Sequence, residues 1–280
     1  MRGRRTEMRG LGAAATAWTA ILLTGCASSL RTPPPVETLG AGKRGGTAEL
    51  QAGDVPRLLD QAGTLFARRP DTAAVTQARE LYLAAARADE SRVEGLLGAV
   101  VAGAWLIEHA TDGARRAALA TEGVQLAQWC QQRAPAQIEC DYRLALALGQ
   151  QARERPATAA DALPRITALL ARVVAAAPEL DDAGGHRVLA LVLLRAPAWP
   201  IGPGDPEQGL AHAREAVRLA PTFPPNLLAL TEALVRNGLP DEARRVCEQA
   251  EQSARQRIAA GAPDAGEWLD EAARAAAALP

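Results

Sequence analysis

Three histidines, four cysteines and a few adjacent carboxylates are the residues of this chain whose types could do chemistry. His109, His186 and His212 are widely separated, and none forms an HxxxH, HExxH or Cys/His arrangement, so no zinc site is expected. No GxSxG elbow or other nucleophile motif occurs. The pairs Asp89-Glu90, Asp181-Asp182 and Asp241-Glu242 fall at helix ends, where carboxylates are solvated or capping groups far more often than acid/base dyads. A stretch "GAGKRGGT" has the composition of a phosphate loop but not its spacing. Glu37 stands where the first glycine belongs, Arg44 replaces Ser/Thr, and no strand precedes it. No residue supports an enzyme, and neither a cofactor nor a metal is expected.

Binding chemistry has better candidates. Arg187 and Arg195 are eight apart, within about a quarter-turn on a helix of 3.6 residues per turn, so both could point the same way, towards the segment that follows. They could meet an acidic partner or a carboxylate ligand, or make structural bonds to Asp205 or to loop carbonyls. That following segment, "APAWPIGPGDP" (196–206), is stiffened by Pro197, Pro200, Pro203 and Pro206. Trp199 within it either offers a contact surface or packs the loop onto the helices. Asp205-Pro206-Glu207-Gln208 reads as an N-cap, a proline at the first helical position and a Gln at the third.

The cysteines divide by context. "MRGRRTEMRG" is basic, "LGAAATAWTAILL" is a short apolar run, and Leu23-Thr24-Gly25-Cys26 follows. A basic segment, an apolar stretch too short to span and a small-residue cleavage site describe a secretory signal. Leu23–Cys26 resembles a bacterial lipobox, which implies cleavage before Cys26 and acylation of that residue; the other reading is an ordinary signal with a chance Cys. Several acyl chains would attach the protein firmly to a membrane, and Ala27 in place of Asp implies the outer membrane facing the periplasm. Loss of Arg2, Arg4, Arg5, Arg9 and Glu7 takes the net charge from −1 to −4, with charges interspersed, which argues against a nucleic-acid partner. Cys130 and Cys140 flank a helix–turn–helix junction broken near Pro135. An oxidising compartment permits a disulfide there; two half-buried thiols are the alternative.

The elements that must position these residues are all helical. Only 3% of residues are aromatic, and apolar positions recur at three and four, with breaks at Pro, Gly and Asp. The spacing predicts helices over 54–68, 72–88, 92–110, 112–133, 138–154, 160–177, 185–195, 206–220, 225–237, 240–260 and 264–279. Asp71 and Asp112 serve as further caps, and Gly238 as a terminator. Residues 1–25 form the signal, 26–52 a Pro/Gly/Ser/Thr-rich tether, and 53–280 the folded part. Within the folded part, Gly209 pairs with Ala243, Ala213 with Cys247 and Ala216 with Ala250 at a period of 34 residues. With Leu227, Leu230, Thr231 and Leu234 on the intervening helix, this pattern resembles the tetratricopeptide repeat, and Ala78, Tyr82 and Ala85 keep the same spacing earlier. The fold class expected is an all-α solenoid of antiparallel helix pairs. Cys247 then holds a core position, and 196–206 is an insertion between paired helices.

The segment 184–234 narrows this further. Gly184-Gly185, Arg187, the "RAPAWPIGPGDP" loop, the "APTFPPNLLAL" junction containing Asn226, and the upstream "IECDYRLALALG" resemble the TatT family of lipoproteins associated with TRAP (tripartite ATP-independent periplasmic) transporters. Cys140 and Arg143 depart from that pattern, and 253–279 matches nothing firmly. The resemblance implies an outer-membrane-anchored solenoid that binds a periplasmic TRAP-type solute-binding protein and assists uptake of a small organic acid or hydrophobic ligand. Arg187, Arg195, Trp199, Asp205 and Asn226 are its candidate ligand or partner residues. The rival is a tetratricopeptide scaffold assembling an outer-membrane or pilus complex, and self-association stays open for both.

Overall fold

In a computed structural model of the chain, residues 52–279 are described. Cys26, the signal segment and nearly all of the tether lie outside them. Eleven α-helices follow one another: α1 Val55–Phe66, α2 Thr72–Ala88, α3 Glu94–His109, α4 Gly113–Arg133, α5 Ile138–Glu154, α6 Ala159–Ala176, α7 Leu180–Arg195, α8 Pro206–Leu219, α9 Pro224–Arg236, α10 Pro240–Ala259 and α11 Ala265–Ala278. No strand occurs among the described residues, and none of their helices is long and apolar enough to cross a membrane.

Local chemistry explains the boundaries. Asp71 accepts the amides of Ala73 and Ala74 at 3.0 and 3.1 Å, and Asp112 accepts that of Ala114 at 2.9 Å. Asp205 caps α8 by accepting Gln208 N at 3.0 Å, and the Gln208 side-chain amide donates back to it at 2.6 Å. Each cap satisfies amides that the first turn leaves without intrahelical partners. The start of α7 is kinked. Asp181, Asp182 and Ala183 turn through the left-handed region with φ of 56, 52 and 61°, so the continuous right-handed helix runs from Gly184, one residue before the predicted start.

Consecutive helices pack in antiparallel pairs, and the small residues predicted at the repeat positions lie between them. Ala213, Ala216, Ala243, Cys247 and Ala250 are all buried. Gly209 is needed for contact between α7 and α8, since a Cβ there would lie 2.9 Å from Leu194 Cγ and 3.3 Å from the Ala190 carbonyl. In the earlier copy Ala78 and Ala85 are buried, while Tyr82 is half-buried. One apolar cluster runs from α2 to α7 and includes Leu96, Val124, Leu148 and Leu170; a second runs from α7 to α11. Cys130 and Cys140 form a disulfide that ties the end of α4 to the start of α5, with 5.4 Å between their Cα atoms. Such a link adds about 2–4 kcal/mol, largely by restricting the unfolded chain. Cys247 packs with its Sγ 3.5 Å from the Ala272 carbonyl, and burial pushes its thiol above the ordinary range.

The α7–α8 pair also joins two histidines that their sequence separation gave no reason to connect. His212 is half-buried, and its Nδ1 lies 3.0 Å from His186 Nδ1. The ring centroids are 5.2 Å apart, so the two nitrogens face each other as one N–H donating to one lone pair. Burial lowers both pKa values, and the neighbouring His212 lowers that of His186 further. Glu215 raises both, and Arg218 lowers that of His186. A depressed histidine pKa means that the unfolded chain binds protons more readily. The pair's contribution is therefore complete above the unfolded value near pH 6.5 and lost as pH falls towards the folded values. Thermal melts should show Tm falling as pH drops below about 6.5, and His212→Asn should flatten that slope. An unchanged slope in the variant would assign the acid sensitivity elsewhere.

Candidate functional site: a cavity ringed by the inner helices

Helices alternate between two layers. The odd-numbered α3, α5, α7, α9 and α11, with the end of α1, line one central cavity of about 650 Å³; the even-numbered helices lie outside them. Phe66, Trp105, Leu191, Leu228 and Trp268 supply an apolar wall, broken by Arg69, Arg187, Arg195, Glu108, Glu232, Asp264 and Glu271. The volume is within the range of small-molecule sites, and so is the mixture of aromatic wall and few polar groups. Acidic and basic side chains are nearly balanced, so the cavity is not a simple anion trap. Trp105 adds a buried indole N–H with no hydrogen-bond partner among the described residues.

Arg187 is the most constrained group on this wall. Its guanidinium donates to Asp181 Oδ2 at 3.0 Å, to Asn226 Oδ1 at 2.9 Å and to the Asp181 and Asp182 carbonyls at 3.3 Å, and it sits over the Phe223 ring at 5.1 Å. Asn226 is fully buried and donates through Nδ2 to the carbonyls of Asp182, Ala216 and Ala220 at 2.9, 3.0 and 3.3 Å. From α5, the buried Tyr142 hydroxyl donates to Asp181 Oδ2 at 2.6 Å, and burial raises the phenol pKa so that it stays a donor. The left-handed turn at Asp181–Ala183 makes this convergence possible. It aims two carbonyls and one carboxylate at a single guanidinium, at a backbone cost of about 1–2 kcal/mol per residue. Gly184 belongs to the same construction, because a Cβ there would collide with the Tyr142 hydroxyl.

The five candidate residues divide into three groups. Arg187 and Arg195 share the cavity wall, with Arg195 paired to Glu232 through Nε at 2.9 Å. Neither bonds Asp205 or the loop carbonyls, and neither turns towards the 196–206 loop, because α7 presents both to the inner layer. Asn226 lies behind Arg187 and holds it in place. Asp205 and Trp199 stand apart: Asp205 is the α8 cap, and Trp199 is 86% exposed, so it does not pack the loop onto the solenoid. The loop is stiffened from within instead. Gly204 N donates to the Pro197 carbonyl at 2.8 Å and Asp205 N to that of Leu193 at 2.9 Å, which leaves Trp199 and Ile201 at a solvent-facing tip.

Several site residues were not visible in the sequence reading. By position Asp181 is a helix-end carboxylate, yet it is the centre of the Tyr142–Arg187 contacts, because the left-handed turn points it inward. Phe66, Trp105 and Trp268 had no assigned role. With only nine aromatic residues in the chain, their scarcity was the one signal available. Among the described residues no group of three or more His, Cys, Asp or Glu could hold a metal ion. Asn226→Ala removes one acceptor from Arg187 and one donor from each of three carbonyls; all four keep another partner, so the loss is that of the bonds themselves, about 0.5–1.5 kcal/mol each. Urea unfolding should register at least that loss, and a variant as stable as the parent would remove Asn226 from the account.

Comparison with known proteins comes down to the repeat. The tetratricopeptide repeat matches residues 201–263, which cover α8, α9 and α10. No curated protein matches the chain. Among solved structures, the crystal structure of MamA protein superposes with a TM-score of 0.45 at 17% identity, covering 74% of this chain and 95% of that one. Tetratricopeptide units stack into solenoids whose extended surfaces bind other proteins. The chain is an all-α helical-repeat protein, and its tetratricopeptide repeat lies in residues 201–263.

Proposed function

We propose that this chain is a lipid-anchored, periplasm-facing binding protein of the TatT kind. It docks a TRAP-type solute-binding protein on its surface and holds a small organic acid or hydrophobic ligand in the central cavity. The observation that carries this reading is the cavity itself: a chamber of about 650 Å³ with Arg187 of the family-like segment on its wall. The aromatic and aliphatic lining suits an apolar ligand body. Arg187 and Arg195 on the wall, together with the Trp105 N–H, suit a polar or carboxylate end.

Anchoring rests on Leu23–Cys26, and the partner on the motif resemblance. The exposed Trp199 and Ile201 favour a protein contact at the loop tip, which also fits the scaffold reading. Affinity capture with acyl-free chain (Cys26→Ser), followed by mass spectrometry, separates the two. Recovery of a periplasmic solute-binding protein is expected, whereas recovery of membrane-assembly proteins alone would replace this reading with the scaffold. In cells, Cys26→Ser should abolish incorporation of labelled palmitate, and continued labelling would refute the anchor.

A further inference from the structure

The inner layer closes into a ring, and the closure differs in kind from every other helix contact. Neighbouring helices along the chain share small or apolar residues, and the apolar clusters span α1–α2, α1–α4, α2–α7 and α7–α11. None of those clusters joins α11 to α1, α2 or α3. At that junction stand two polar contacts. Arg69 donates to both carboxylate oxygens of Asp264 at 2.7 and 3.1 Å, and His109 Nε2 meets Glu267 Oε1 at 2.9 Å. They link positions 195 and 158 residues apart.

Each jaw of this seam is organised by its own side. Arg69 lies over the Phe66 ring at 3.8 Å and donates to the Phe66 carbonyl at 2.9 Å. His109 stacks on Trp105 at 3.6 Å, and its Nδ1 is 2.8 Å from the Trp105 carbonyl. On the opposite side Trp268 packs edge-on against Phe223. Parting the seam would therefore break the two cross-contacts and leave every supporting contact intact. Phe66, Arg69, Trp105, Asp264 and Trp268 also line the cavity, so the seam is part of its wall.

We propose that this seam is a latch: the ring opens reversibly between α11 and the α1–α3 end, and ligands reach the cavity sideways through the gap. The proposal rests on the cavity being a ligand chamber, but the opening itself is tested without any ligand. The Arg69 and Asp264 side chains are only 12% and 29% exposed, so salt screens their pair less than a surface pair, and removing one of the two charges is the sharper way to weaken it. Opening on loss of that one charge, with the apolar packing untouched, would single out the seam.

Double electron–electron resonance on the full chain reads this directly. Spin labels go at Ala67→Cys and Asp270→Cys, both exposed, in a Cys26→Ser background; Cys130 and Cys140 are bonded and Cys247 is buried. In the parent a single short distance is expected. Asp264→Asn should add a longer-distance population. An Asp264→Asn distribution identical to the parent's, with helical circular dichroism unchanged, would overturn the latch. So would a broad distribution in the parent. Loss of the latch would leave the chamber reading standing, and that reading fails separately if the affinity capture recovers only assembly proteins.

Discussion

Arg187 is the side chain on which the geometry of the site depends. A guanidinium carries five donors and cannot give up its charge, so burying it requires acceptors on several sides. The fold supplies them from different elements: the Asp181 carboxylate, two carbonyls of a left-handed turn, and Asn226 from α9. Asn226 in turn holds the carbonyl ends of α8, and Tyr142 brings in α5. One cation thereby couples α5, α7, α8 and α9, with three of them facing the same cavity. Three consecutive non-glycine residues in the left-handed region are costly, and this convergence is what offsets them.

Around that hub, two kinds of adhesion divide the ring. Helix pairs adhere through small residues such as Gly209, Ala213 and Ala250, whose close packing is short-ranged and insensitive to salt. The junction of α11 with the first helices relies on polar contacts, the Arg69–Asp264 ion pair and the His109–Glu267 contact. A solenoid that is an open superhelix offers its concave face to a partner protein. Here the concave face is a partly open cavity bridged on one side by the α11 seam, and on the proposed reading a protein partner meets the rims, the outer helices or the Trp199–Ile201 tip.

Local rules carried the sequence reading far. Capping aspartates, proline at first helical positions and the 34-residue register of small residues place ten of the eleven helices within two residues at each start, and they put Cys247 in the core. What failed was everything that depends on backbone outside the helical region or on distant parts of the ring meeting. Asp181 looked like a cap because helix-end carboxylates ordinarily are; only the left-handed turn makes it a ligand for Arg187. Of the two readings of Trp199, packing onto the helices does not hold, since backbone bonds already stiffen the loop and the side chain is exposed. The His186–His212 contact and the Arg69–Asp264 seam join residues that no periodicity links.

Closure of the ring is the claim on which the chamber, the placement of the partner and the latch all stand. Small-angle X-ray scattering at low ionic strength tests it most directly, on an acyl-free chain beginning after residue 51. The account expects a curve fitted by the closed arrangement of residues 52–279, with a pair-distance function that falls off at the ring's own diameter. A skewed function with a long tail, as an open superhelical rod gives, would contradict it.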